Sequence, residues 1–113
     1  MTNSTATAWE AKRTDETRNV EAVLLNAGFQ QVDAYRYNSA SIRVRVIDSR
    51  FEGLSNEKRD ALVEPHLERL PERTQRDIMT LFTIAPSELQ HGTENTRALL
   101  LNLEFDDPSP STL

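Results

Sequence analysis

Cysteine is absent from this chain. That excludes disulfides, thiolate metal sites, cysteine nucleophiles and redox pairs, and it fits a cytoplasmic address. Glycine is scarce. Gly28, Gly53 and Gly92 stand far apart and build no phosphate-cradling loop. Long apolar runs are missing too: no segment approaches the roughly 20 residues that span a bilayer, so no membrane partner is expected. The first residues, MTNSTATAWEAKR, lack a basic stretch followed by an apolar one and do not read as a signal peptide. Positive charge is in deficit. The net charge of −5 counts against generic nucleic-acid binding, which draws its affinity from phosphate neutralisation.

What remains is 113 residues, 37% hydrophobic and 27% charged, the composition of one globular domain. Residues 1–13 are expected to form a flexible lead-in, with Trp9 docking onto the domain edge. The domain is placed at 14–106, and 107–113, DPSPSTL, is read as a disordered tail. Charge is unevenly spread. Between Ala34 and Arg50, four arginines face Asp48 alone, whereas Glu88 to Asp107 carries five acids against Arg97. The basic stretch and the acidic end could attract each other, a neighbouring copy, or two different partners.

In order, Asp15 to Ala27 forms a first helix, with Val20, Val23, Leu24 and Ala27 on one stripe, Thr14 as N-cap and Gly28 at C′. Gln31 to Tyr37 and Ile42 to Ile47 alternate with a period of two and pair as an antiparallel hairpin around Asn38-Ser39-Ala40. Arg43 and Arg45 point away from the Ile42-Val44-Val46 face, with Asp33, Tyr35 and Tyr37 available across the hairpin. Two readings stay open for that face. It is a solvated outer surface, or, with Arg36, a polyanion-reading surface on tyrosine platforms.

Arg50-Phe51-Glu52-Gly53 makes an aromatic-anchored corner, and Ser55 caps a helix running to about Leu70, which Pro65 is expected to kink or break. Leu70 to Gln75 is a connector or a one-turn helix. Ile78 to Ile84 is a third strand, and Pro86 opens a helical turn. Arg97 to Phe105 reads as a fourth strand, with a short helix at its start as the alternative.

The order α-β-β-α-(turn)-β, with Arg50-Phe51-x-Gly53 and Arg59 six residues beyond the glycine, resembles the BolA family. That family carries F-x-G-x(5)-R at this loop, usually followed by His, and Phe51, Gly53 and Arg59 fall in register. The resemblance spans about residues 18 to 89. It implies an α+β fold of BolA-like, KH-like topology, a three- to four-stranded mixed sheet with helices on one face. Strand Arg97–Phe105 would be an addition to it. The resemblance also implies a small adaptor or regulator working through protein contacts, with a glutaredoxin-like protein as a candidate partner. Two departures matter. The His after the loop arginine is Asp60 here. The third-strand His that implies ligation of a shared iron–sulfur cluster falls on Met79, so cluster ligation is expected to be lost.

No enzyme, cofactor or metal site is expected. His66 and His91 have acids nearby but too few ligands for zinc. Ser49, His66 and Asp48 make a triad only on paper. The partner-binding candidates are Arg50, Phe51, Gly53 and Arg59. The alternative functions are a nucleic-acid binder using Arg36, Arg43, Arg45, Tyr35 and Tyr37, or a homo-oligomeric domain joined through Arg97–Phe105. The chain is expected to be a monomer or a weak homodimer.

Overall fold

The computed structural model describes residues 8–90 and 96–111. Helix α1, Asp15–Asn26, starts at a reciprocal cap: Thr17 N–H donates to Thr14 Oγ1 and Thr14 N–H donates to Thr17 Oγ1. Its far end is a Schellman turn. Gly28, at φ 98°, and Phe29 donate their N–H groups to the carbonyls of Leu25 and Leu24. Strands β1, Gln31–Asn38, and β2, Ser41–Ile47, pair antiparallel in the expected hairpin. Helix α2, Asn56–Leu67, and the short α3, Glu72–Asp77, lead to β3, Ile78–Ile84, which lies parallel to β2. Helix α4, Thr96–Asp106, follows. The fold is α+β, with a mixed sheet in the order β1-β2-β3 and four helices among the described residues.

The first face of the sheet is aliphatic. Val32, Ala34, Ile42, Val44 and Val46 pack with Val20 and Leu24 of α1 and Val63 of α2, most of them without solvent contact. Full burial of such a side chain stabilises by about 1.5–3 kcal/mol. The second face is aromatic. Tyr35, Phe82 and Ile84 meet Trp9, Ala98 and Phe105, with the Tyr35 and Phe105 rings edge to face at 4.7 Å.

Four expectations are corrected. The segment Arg97–Phe105 is helix α4 rather than a fourth strand, so the sheet has three strands. It contains no β-branched residue, and Ala98, Leu101, Asn102 and Phe105 recur at the i, i+3, i+4, i+7 spacing that turns one helical face to the sheet. Helices therefore cover both faces, not one. Pro65 does not break α2, which ends only at Leu67. The proline sits in the last turn, where the one bond it removes is to exposed Ala61 and the helix has little further to run. The lead-in and the tail are also built into the domain where they are described. Ala8–Lys12 forms a 3-10 turn with Trp9 buried, Tyr37 donates its hydroxyl hydrogen to Ser109 O, and Asn38 donates to Ser111 Oγ. No helix among the described residues is long and apolar enough to cross a membrane.

Candidate functional site

The corner after β2 is held from inside. A 3-10 turn, Ser49–Phe51, begins at Asp48, whose carboxylate accepts the N–H groups of Arg50 and Gln30 at 2.8 and 2.9 Å. Burial pushes the Asp48 carboxyl up, but the Arg50 guanidinium and these two amides outweigh it and hold the group below its usual range. Phe51 is fully buried beside Phe29. Gly53 takes φ 74°, the left-handed region that favours glycine. Arg59 is 5% exposed and donates to three acceptors: Leu54 O at 2.9 Å, Thr83 O at 3.0 Å and the Glu88 carboxylate at 2.7 and 3.0 Å. That guanidinium keeps the Glu88 carboxyl low. The fold thus brings Arg50, Phe51, Gly53 and Arg59 together, yet only Arg50 offers its side chain outward, stacked 4.0 Å over Phe29.

The arginine–tyrosine face is closed rather than solvated, and the pairing with Asp33 and stacking on Tyr37 open to it across the hairpin both form. Arg45 is buried, pairs with Asp33 at 2.7 Å and Asp106 at 2.6 Å, and lies over the Phe105 ring. Arg43 stacks on Tyr37 at 3.7 Å and pairs with Glu104 at 2.9 Å. Arg36 ties α1 to α3 through Glu16 and Asp77. Tyr35 is fully buried, and its burial raises the phenol. All five residues are engaged within the fold. The basic stretch and the acidic end attract each other: Glu104 and Asp106 come from α4 to meet Arg43 and Arg45.

A groove of about 520 Å³ opens elsewhere, between α2 and the outer edge of β3. Asp60, Glu64 and Glu68 line its α2 side at i, i+4, i+8, one row along the helix. Leu67, Ile78 and Leu81 give it an apolar floor, and Met79 stands at the rim, 69% exposed. Burial pushes the Asp60 carboxyl up, although the Thr83 hydroxyl donates to it at 3.4 Å. None of the three acids lies at ion-pair distance from a cation among the described residues. Like charges four apart on a helix repel by about 0.2–0.5 kcal/mol per pair, so α2 carries this row at a cost.

No family model, curated protein or solved structure matches the chain. Asp60 and Met79 line this one groove. A carboxylate and an exposed thioether are a poor donor set for an iron–sulfur cluster, so these residues do not fit one. Among the described residues no group of three or more His, Asp or Glu is placed to hold a metal ion.

His66 packs edge-on against Phe29 at 5.8 Å, while Asp48 is taken by Gln30 and Arg50, so the paper triad is not assembled. His91 lies outside the described residues. Glu64 and Glu68 are among the acids near His66 in sequence. The i, i+4, i+8 spacing with Asp60 was the signal that would have put them in one row.

Proposed function

We propose that this chain is a small non-enzymatic adaptor or regulator of BolA-like type, acting through protein contacts and ligating no cluster. The observation that carries the reading is the groove between α2 and β3, where Asp60 and Met79 converge beside an open strand edge. Carboxylates, a thioether and aliphatic side chains recognise cations and apolar surface, which suits contact better than bond making. The corner built by Phe51, Gly53 and Arg59 supports the reading as well, since Arg59 ties the start of α2 to the Thr83 carbonyl of β3 beside the groove. Arg50, at the outer end of that corner, is the contact residue we retain from the loop.

The test is a titration with a cluster-loaded monothiol glutaredoxin, followed by visible circular dichroism of the cluster and NMR shifts of this protein. Shifts in the groove or around Arg50–Arg59, with an unchanged cluster spectrum, are expected. A changed spectrum overturns the absence of ligation. No response removes a glutaredoxin-like partner, and the family's function with it.

A second reading, a homo-oligomeric domain, is favoured by α4. Leu99, Leu100 and Leu103 lie on its outer stripe at 39%, 60% and 63% exposure. Light scattering that rises with protein concentration, and falls in a Leu100→Glu, Leu103→Glu variant, is its signature; a strictly monomeric protein ends it.

A further inference from the structure

The two edges of the sheet are finished differently. On the β1 edge, the Ala34 N–H is taken by the buried Glu21 carboxylate at 2.9 Å, and Arg13 holds that carboxylate in place. On the β3 edge the pairing leaves groups over. Asp48 N–H donates to Ile84 O, and in a parallel ladder alternate residues bond to the same neighbour. Thr80, Phe82 and Ile84 therefore turn their main-chain groups toward β2 and Leu81 and Thr83 turn theirs outward, while Met79 is the extra residue of a bulge between Ile78 and Thr80. Arg59 covers the Thr83 carbonyl at 3.0 Å. Outside the ladder with β2, no backbone hydrogen bond among the described residues reaches Leu81.

Edge strands are ordinarily blunted by lysine, proline, a bulge or a cover. The β3 sequence, IMTLFTI, carries no charge and no proline over its seven residues, and its bulge at Met79 leaves Thr80–Ile84 in regular pairing. The row of Asp60, Glu64 and Glu68 beside it decides which occupant fits. A second copy paired edge to edge would set three carboxylates against three, and a nucleic acid would bring phosphates to them. An extended cationic segment would instead satisfy the main-chain groups and relieve the repulsion along α2 at once.

The geometry points to the outer edge of β3 as a site of strand addition for an extended, basic peptide segment of a partner protein. Its main chain bonds the regular outer edge at Leu81, and its Lys or Arg side chains lie against Asp60, Glu64 and Glu68. This deepens the adaptor reading and rests on it.

The probe is an acetylated peptide alternating lysine with valine, as long as β3, titrated into the full chain by nitrogen-15 NMR. Shifts should centre on Thr80–Thr83 and α2, and hydrogen exchange at the Leu81 amide should slow. Two further peptides, each N-methylated at alternate nitrogens in opposite phase, keep the charge and separate strand addition from ionic contact. One should lose binding and the other keep it. The exposed pair Glu64→Gln, Glu68→Gln should weaken binding by about tenfold.

Equal binding of both methylated peptides overturns strand addition, as does equal affinity for a glutamate–valine peptide. Edge protection that appears with protein concentration alone gives the edge to a second copy and overturns it too. Glutaredoxin docking without any peptide response removes this inference and leaves the adaptor reading intact. Peptide binding without glutaredoxin docking supports the edge site and removes that partner.

Discussion

On one face of the sheet Val32, Ala34, Ile42, Val44 and Val46 meet α1 and α2 through aliphatic contact; on the other, Tyr35, Arg43, Arg45 and Phe82 meet α4 and Trp9 through rings and ion pairs. The first kind of contact is non-directional and scales with the area removed from water. The second is directional. Arg43 selects Glu104, while Arg45 selects Asn102 and Asp106, so α4 is held at one rotation and one height over the sheet. Ion pairs at this depth offset much of their attraction by desolvation, so their larger contribution is to which arrangement forms. Both faces stabilise the fold by burial, and the second also fixes where the last helix sits.

The largest effects should come from core truncation, and they should differ in reach. Leu24→Ala and Phe105→Ala each remove about 3–4 kcal/mol in urea unfolding. In native-state hydrogen exchange, Leu24→Ala should lower protection throughout, whereas Phe105→Ala should expose the amides of α4 first. Uniform loss in both variants breaks the distinction between the faces.

Arg45→Ala comes next, at about 2–3 kcal/mol, because it leaves Asp33 and Asp106 facing a buried gap. A double-mutant cycle with Asp106→Asn should show coupling above about 0.5 kcal/mol; additivity would mean that the pair does not position α4.

Gly53→Ala tests the corner that serves the first face. A Cβ there meets nothing within 4 Å, so only the left-handed φ of 74° resists it, at about 1 kcal/mol. A null result in chemical denaturation would show that the corner relaxes.

The smallest effect is a pH dependence confined to the second face. Ser109, through its hydroxyl and its amide, and then Arg43 hold the Glu104 carboxyl down, from 4.5 to about 2. A depressed carboxyl stabilises the fold fully above its unfolded value and loses that contribution as pH falls through its folded value. Docking of α4, read by Trp9 fluorescence, should weaken between about pH 4.5 and 2. Asp48 and Glu88 titrate in the same direction, so the difference between the native chain and Glu104→Gln isolates this contact.

Short-range chemistry made much of this molecule legible. The Thr14 cap, the Gly28 turn, the hairpin, β3 and the Phe51–Gly53 corner depend on residues within a few positions of one another, and each forms as read. The segment 97–105 is ambiguous in sequence because a run of leucines followed by Asn102-Leu103-Glu104-Phe105 satisfies a two-residue period as well as a helical one. A long-range partner broke the tie.

The same holds for the arginines. In sequence, Arg43 and Arg45 alternate with buried valines, which by itself says that they face away from the aliphatic core and no more. Whether that outer face meets water depends on a helix 61 residues further along, which brings Glu104 and Asp106 to it. Which residues start, end and line most elements is written locally, in caps, turns and side-chain periods. That the arginine face is a second core, and that Asp60, Glu64 and Met79 share a groove, follows from the packing of distant segments. Burial and electrostatic pairing are properties of neighbours in space, and these neighbours lie far apart along the chain.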